Sequence, residues 1–236
     1  MAAIINTLEN AVVEVAKEVE QKGSVKKCYE RDENSLWYEL VACLLGSNVI
    51  FEHAQAAAEY LYSCNLLDFR NYRKCYKYYE NEITKELSKP LFPPLTTKGT
   101  FRKYRFPNIR AKYICSTAKN IYGSTNTLKK LLYKSQDSYS ARKNIVAQSV
   151  GIGPKQASLF LRNINYDDDL AILDSHVLKY MKMIGLLSAQ INSIIQMDLY
   201  ERIEKKLQNY ATQLGKSLCH LDTAIWIVMR VYQRGF

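Results

Sequence analysis

The chain lacks the sequence features of metal proteins and membrane proteins. Its 6 cysteines include no C-x-x-C pair, the usual sign of a metal site. Near the C-terminal end there is only Cys219, too few cysteines to hold an iron–sulfur cluster in that region. No secretory h-region or bilayer-length apolar run is found. We therefore expect free thiols, no metal and a cytoplasmic protein without membrane association.

Strand patterns, internal repeats and helix-breaking residues are also scarce. Four of the 5 prolines lie between residues 87 and 107, which predicts a long irregular connection in that stretch. Elsewhere apolar residues recur at helical spacing. The predicted helices cover residues 4–21, 35–45, 51–62, 108–122, 127–133, 138–150, 155–164, 175–184, 194–214 and 217–232.

Acidic residues are few relative to basic ones, and the formal net charge is +10. This balance favours an anionic partner. Between Lys98 and Lys112 there is no acidic residue, and Arg105 and Arg110 alternate with aromatic residues. This basic strip is typical of a surface that follows DNA phosphates, although an ordinary solvated basic loop is the alternative. Arg142 and Lys143 extend the same surface in this interpretation.

A glycine pair is the most informative local pattern. Residues 150–157 read Val-Gly-Ile-Gly-Pro-Lys-Gln-Ala. Gly151 and Gly153 can take positive φ, and Pro154 suits the first turn of a helix. The pattern predicts a helix-hairpin-helix over about residues 138–165, with backbone N–H groups that hold a phosphate. It also leaves room for a structural monovalent cation at the hairpin.

Lys155 follows the hairpin directly, and Asp174 stands before the predicted helix that begins at Ser175. An unprotonated amine can attack a sugar C1′ atom, displace the base, form a Schiff base and promote strand cleavage. Asp174 is placed to cap its helix. Taken alone, the two residues are also compatible with a surface lysine and a structural cap.

Together these residues, with Lys155-Gln156-Ala157-Ser158 and the run from Asp169 to His176, resemble the helix-hairpin-helix DNA glycosylase superfamily. The similarity is greatest to the type 2, archaeal-type 8-oxoguanine DNA glycosylase/lyases and runs from about Leu36 to Trp226. It implies that Lys155 is the nucleophile and that Asp174 stabilises the cationic sugar.

The resemblance also implies DNA contacts beyond the hairpin. Asn48, in the loop Gly46-Ser47-Asn48, stands where the superfamily inserts a polar side chain into the duplex in place of the flipped nucleotide. The alternative is a Gly46 C-cap followed by an Asn48 N-cap. His176 stands where the family contacts the DNA backbone, and its alternative is a structural histidine.

The base pocket is where the chain departs from the family pattern. The resemblance assigns Leu159, Trp226 and Phe236 to this pocket. Many type 2 relatives carry a histidine at the position of Leu159 and end in a lysine, whereas this chain ends in Phe236. These differences change the hydrogen-bonding groups that would select a base. Trp226 as a core residue and Phe236 as a frayed terminus are the alternatives.

We predict a mainly α fold with two helical subdomains, residues 1–85 plus 188–236 and residues 86–187, and a DNA-binding cleft between them. The predicted function is a DNA N-glycosylase, with AP-lyase activity, that flips and excises a modified base from double-stranded DNA at the nucleoid. No cofactor or obligate protein partner is expected. The alternatives are a glycosylase for another modified base, such as a bulky modified pyrimidine in phage DNA, and a non-enzymatic helix-hairpin-helix DNA-binding protein.

Overall fold

The fold is mainly helical, as predicted. The computed structural model describes residues 2–20, 30–72, 75–94, 99–167, 169–191 and 194–234. The helices are α1 (Ala2–Glu20), α2 (Glu33–Leu45), α3 (Phe51–Ser63), α4 (Phe69–Tyr72), α5 (Tyr76–Leu87), α6 (Pro107–Tyr122), α7 (Leu128–Tyr133), α8 (Ser138–Gln148), α9 (Pro154–Asn163), α10 (Ser175–Met183), α11 (Met197–Gln213) and α12 (Leu218–Arg234).

Each predicted helix corresponds to an observed one, and most ends agree within a few residues. The short helix α4 and helix α5 were not predicted, and α5 is the longer of the two. Its sequence is rich in charged and tyrosine residues, and its described buried side chains are confined to its C-terminal part, at Ile83, Glu86 and Leu87. A pattern based on apolar spacing therefore has little to detect there.

The proline-rich connection contains a small sheet that the sequence did not indicate. Strands β1 (Pro90–Phe92) and β2 (Arg102–Lys103) pair antiparallel, and Phe92 lies opposite Arg102. The Arg102 side chain donates from Nε to the carbonyl of Pro93 at 3.1 Å. Strands this short fall below the length at which alternation of polar and apolar residues is visible.

The chain forms two compact units, which differ in their boundaries from the predicted subdomains. We call Lys27–Ile164 the hairpin unit and Met1–Lys26 with Asn165–Phe236 the terminal unit. Helices α2 to α5 belong to the hairpin unit because α2 packs against α9 and α5 packs against α6. Helix α10 belongs to the terminal unit because it packs against α12.

The core of the hairpin unit is built around aromatic side chains. Trp37 on α2 is fully buried and makes edge-to-face contacts with Tyr72 and Tyr122, at centroid distances of 5.5 and 5.4 Å. Edge-to-face pairs of this kind add to the gain from burying the rings. They tie α2 to α4 and α6.

The terminal unit has its own apolar core. Val12 and Ala16 on α1 are fully buried in one cluster with Leu221, Ile225 and residues of α10 and α11. The apolar face of α1 is therefore a packing surface, and α1 lies against α12.

Two expectations about composition can be compared with the described residues. The described cysteines, Cys43, Cys64, Cys75, Cys115 and Cys219, are free thiols as expected, and Cys28 lies outside the described residues. Among the described helices, none combines the length and the apolar character needed to cross a bilayer.

Candidate active site

Helices α8 and α9 and the turn between them form the predicted helix-hairpin-helix. Gly151 has φ +78°, and a Cβ added to it would collide with the ring of Tyr113. A side chain at this position would therefore be strained both by the backbone and by its neighbour. Gly153 differs from the prediction, because its φ of −102° is an extended conformation open to any residue.

Helix α6 holds the hairpin from outside the motif. The Val150 amide donates to Oγ1 of the fully buried Thr117 at 2.9 Å, and Nδ2 of Asn120 donates to the Gln148 carbonyl at 3.1 Å. These bonds satisfy backbone groups that the end of α8 leaves without helical partners. The sequence carried no signal for them because the contacts span about 30 residues of chain, as hydrogen bonds between side chains and backbone often do.

Arg142 is a buried residue that connects two helices, and it is not part of the predicted DNA-binding surface. Its side chain is fully buried, and Nη1 donates to Oγ of Ser158 at 3.1 Å. The Ser158 hydroxyl in turn donates to the carbonyl of Pro154 at 3.0 Å. The guanidinium also lies 5.1 Å from the centre of the Tyr139 ring. Arg142 thus links α8 to the first turn of α9, and the predicted surface role is corrected by its burial.

Lys155 lies in the first turn of α9, as predicted. The N-cap residue Gly153 has no side chain to satisfy the amides of this turn, so their positive ends remain turned towards the hairpin. The Lys155 and Leu159 side chains are half-buried. A long amine in this position keeps its stem on apolar surface and its head accessible.

Helix α2 supplies a titratable neighbour of Lys155 in the hairpin unit, Cys43. Burial raises the pKa of the Cys43 thiol, the charge of Glu39 adds to this rise, and the charge of Lys155 opposes it. Burial also raises the pKa of Glu39, whose carboxylate accepts a hydrogen bond from Nδ2 of Asn163. Neither Glu39 nor Cys43 was singled out from the sequence, because each is an ordinary position on an amphipathic helix until α9 packs against it.

The loop that carries Asn48 is held through its carbonyl oxygens. Tyr104 donates to the Leu45 carbonyl at 2.6 Å, and burial raises the pKa of Tyr104 to about 12, so its hydroxyl keeps its proton at neutral pH. Nη2 of Arg110 donates to the Ser47 carbonyl at 2.6 Å. Nη1 of Arg105 donates to the carbonyl of Asn48 at 3.3 Å.

Asn48 itself is exposed and has φ +59°, a conformation that asparagine tolerates better than most residues. The alternative of an Asn48 N-cap does not hold, since α3 begins at Phe51 with Ile50 as its N-cap residue. Gly46 is the C-cap residue of α2, as that alternative expected.

The basic strip divides into exposed and internal residues. Arg105 and Lys112 are exposed and available to a polyanion. Arg110 is 5% exposed and donates a hydrogen bond to the Ser47 carbonyl, so it holds the Asn48 loop. The prediction that it is an exposed phosphate ligand is wrong, because its side chain is buried. A count of charges along a sequence does not distinguish these cases. Lys98 lies outside the described residues.

Asp174 caps α10 in the terminal unit. Its Oδ1 accepts hydrogen bonds from the amides of His176 and Val177, both at 2.9 Å, which confirms the predicted cap. Both bonds end on the same oxygen and leave Oδ2 outside the cap.

The remaining predicted site residues lie on or beyond α10 and α12. His176 is half-buried, and its Nδ1 is enclosed without a hydrogen-bond partner among the described atoms. Trp226 is also half-buried and not a core residue, and the guanidinium of Arg230 lies 4.8 Å from its ring centre. Phe236 lies outside the described residues. The cleft predicted between two subdomains stays a prediction.

Comparison with known proteins supplies a family. A family model described as 8-oxoguanine DNA glycosylase matches residues 18–216. The 8-oxoguanine DNA glycosylase/AP lyase of Saccharolobus solfataricus is 34% identical over 192 residues, 81% of this chain and 81% of the relative. The protein of the same description from Sulfolobus acidocaldarius is 36% identical over 156 residues, 66% of this chain and 64% of the relative.

Solved structures share the fold. The 8-oxoguanine DNA glycosylase of Thermotoga maritima superimposes with a TM-score of 0.70 at 28% identity, covering 96% of this chain and 95% of that one. The Methanocaldococcus jannaschii 8-oxoguanine glycosylase/lyase, in complex with a 15mer DNA containing 8-oxoguanine, gives 0.65 at 22% identity, over 94% and 88% of the two chains. At that identity the second similarity concerns the fold alone. The chain belongs to the helix-hairpin-helix family of 8-oxoguanine DNA glycosylases.

Proposed function

We propose that this chain flips 8-oxoguanine out of double-stranded DNA, breaks its C1′–N bond and then cleaves the strand as an AP lyase. The observation that carries the proposal is Lys155, a half-buried amine in the first turn of α9, directly after the hairpin of a chain of this family. An amine is the one side-chain nucleophile that can both displace a base and form a Schiff base.

In the proposed reaction, Nζ of Lys155 attacks C1′ and the base leaves with the electrons of the glycosidic bond. The resulting aminal opens to a Schiff base between Nζ and C1′, and loss of a C2′ proton then expels the 3′ phosphate by β-elimination. Asp174 stabilises the positive charge that develops on the sugar as the base departs. Its Oδ1 is engaged by the cap, so Oδ2 is the oxygen we assign to this role.

The DNA is held by groups that recognise its backbone. We propose that the hairpin at Gly151 and Gly153 and the first turn of α9 bind a phosphate, and that Arg105, Lys112 and His176 add further backbone contacts. At Gly153 an added Cβ would come no closer than 3.9 Å to its nearest neighbour, Oε1 of Gln156. The protein itself therefore does not require glycine there, whereas a closely approaching phosphate would.

We propose that Asn48 enters the duplex in place of the flipped nucleotide and pairs with the widowed base. The three carbonyl contacts of its loop, from Tyr104, Arg105 and Arg110, support this role because they fix the backbone while leaving the Asn48 side chain exposed. Leu159, Trp226 and Phe236 are proposed to line the base pocket.

No step in this scheme needs a cofactor or an obligate protein partner. A monovalent cation held by hairpin carbonyls would have a structural role. The buried Ser149 hydroxyl, which has no hydrogen-bond partner in the described part of the chain, would suit it as a further oxygen ligand. We place the site of action at the nucleoid in the cytoplasm, since that is where the proposed substrate lies.

Borohydride trapping tests the proposal directly. Duplex DNA with a single 8-oxoguanine should yield a covalent adduct with the wild-type protein and none with Lys155→Gln. Lys17→Gln serves as a control, since it removes an exposed amine on α1 that lies outside the proposed DNA-binding groups and is paired with Glu14, and it should still form the adduct. Absence of both adduct and base release on any damaged or abasic substrate would favour the non-enzymatic DNA-binding alternative.

A second candidate substrate follows from Leu159. This half-buried apolar residue lies one turn after Lys155 on α9 and offers no hydrogen-bonding group to a base. A base pocket lined by this apolar side chain also suits another modified base, such as a bulky modified pyrimidine from phage DNA. Mass spectrometry of the free bases released from oxidised DNA and from modified phage DNA distinguishes the two substrates.

A further inference from the structure

The segment that leads into Asp174 is buried but has no regular secondary structure. Ala171 is fully buried and Leu173 is 4% exposed, and residues 170–174 belong to neither helix nor strand. Backbone amides in such a position need partners, because an unsatisfied buried N–H group costs free energy comparable to a lost hydrogen bond. The partners of these amides therefore determine where the segment runs.

Side chains of α11 provide most of these partners. The Ala171 amide donates to Oε1 of Glu204 at 2.8 Å. The Leu173 amide donates to the Tyr200 hydroxyl at 3.1 Å, and that hydroxyl donates to the Ala171 carbonyl at 2.7 Å. Tyr200 and Glu204 are four residues apart on one face of the helix, so they reach the same stretch of backbone.

The middle amide is held from α12. Ile172 donates to Oδ2 of Asp222 at 2.6 Å. The carbonyl of Ile172 then accepts a hydrogen bond from the amide of Asp174 at 2.8 Å. Asp222 therefore holds Ile172, and Ile172 in turn fixes the backbone of Asp174 through one tight turn.

Two of the three side chains are buried carboxylates, at 1% exposure for Glu204 and 2% for Asp222. Burying a carboxylate has a free-energy cost comparable to the whole stability margin of a domain. Hydrogen bonds from backbone amides to a charged acceptor are shorter and stronger than neutral ones, which offsets part of this cost. These hydrogen bonds connect named backbone atoms of the segment to α11 and α12, so they fix its path more specifically than non-directional apolar contacts can.

We propose that Tyr200, Glu204 and Asp222, here called the clamp, are positioning residues that fix the carboxylate of Asp174 for base release. This inference rests on the proposed role of Asp174 in catalysis. The clamp residues act through the backbone of residues 171–173 and do not touch the substrate. Displacement of a catalytic group by about 1 Å can slow a reaction by about 100-fold, so loss of a clamp bond lowers the rate of base release.

Tyr200→Phe is the first test because it removes one hydroxyl and keeps the ring. The rate of 8-oxoguanine release under single-turnover conditions should fall about tenfold or more, while the Kd for the DNA stays unchanged. Tyr210→Phe is the matched control on the same helix. Its hydroxyl bonds to Tyr180 and Glu9, away from the clamp, and the rate should be unchanged.

A double-mutant cycle with Asp174→Asn separates positioning from general weakening of the fold. If the clamp acts through Asp174, adding Tyr200→Phe to Asp174→Asn lowers the rate no further. An equal loss in both backgrounds overturns the proposal. Should Asp174→Asn alone leave base release intact, the catalytic role of Asp174 itself fails, which is a different result.

Glu204 provides a rescue experiment. Glu204→Gln keeps an oxygen that accepts from the Ala171 amide, whereas Glu204→Leu removes it. We expect the rate for the folded fraction to be close to wild type with Gln and lower by about tenfold or more with Leu. Equal rates for the two variants would overturn the proposal. If the Leu variant does not fold, Tyr200→Phe and its cycle remain decisive.

Discussion

One carboxylate, that of Asp174, has both a structural and a proposed chemical role. Asparagine and aspartate are about equally good N-cap residues, since both present an oxygen to the first amides of a helix. Only aspartate brings a charge to the developing sugar cation. The two roles can therefore be separated at this residue by a single substitution.

We predict that Asp174→Asn lowers the rate of base release on the order of 100-fold while leaving the melting temperature close to wild type. Asp174→Ala should lose both roles, with a further cost of about 1 kcal/mol in stability from the lost cap. Single-turnover kinetics and thermal unfolding of both variants check this. Equal activity of wild type and Asp174→Asn would contradict it.

The residues whose roles were hardest to predict are arginines. Arg110 and Arg142 counted towards a DNA-binding surface in the sequence, yet both are buried and hydrogen-bonded within the hairpin unit. Charge is visible in a sequence, whereas burial depends on which helices pack over the side chain. The positions of Lys155 in the first turn of α9 and of Asp174 at the N-cap of α10 were predictable because both follow from local sequence patterns, whereas their catalytic roles stay predictions.

At the scale of the element, the two hairpin glycines have different requirements. We predict that Gly151→Ala destabilises the protein by at least about 1 to 2 kcal/mol, because its φ is positive and the new Cβ would displace Tyr113. Gly153→Ala should cost less stability, no more than about 1 kcal/mol from the poorer N-cap, and weaken DNA binding, since its Cβ meets no close neighbour in the protein. Urea unfolding and a DNA-binding titration distinguish them. Equal loss of stability in both variants would contradict this difference.

The Asn48 loop depends on a neighbouring element for its shape. Tyr104→Phe removes the hydroxyl that donates to the carbonyl of Leu45, and we predict a loss of about 1 kcal/mol in the free energy of unfolding, with slower base release because Asn48 is less well held. Tyr62→Phe is the control on an exposed tyrosine and should change stability by less than about 0.5 kcal/mol. If the Tyr104→Phe variant releases the base at the wild-type rate, the hold on the Asn48 loop does not contribute to base flipping.

Helices were predictable and their assembly was not. The apolar spacing of α1, α9 or α12 predicts that one face of each helix is buried, but it does not predict which helix packs on that face. Which helix covers that face depends on contacts far apart in sequence, such as α2 with α9. The boundaries of the two units, and the side chains that hold the hairpin and the clamp, depend on such contacts and have no local signature.

At the scale of the whole molecule, the excess of basic residues has a measurable consequence. Each phosphate that the protein neutralises on duplex DNA contributes about −0.9 to the slope of log Kobs against log salt concentration. The net charge of +10 does not give this slope, because buried arginines and paired lysines do not contact phosphate.

We predict that Arg105→Gln and Lys112→Gln, which remove exposed charges of the basic strip, each reduce the magnitude of the slope by about 0.9. Lys17→Gln is the matched control, since its ammonium lies outside the strip and is already paired with Glu14 at 2.7 Å. Binding titrations over a series of salt concentrations measure the slopes. Unchanged slopes for both strip variants would show that the strip does not contact DNA. A smaller slope for these two variants and not for Lys17→Gln would show that Arg105 and Lys112 contact DNA phosphates.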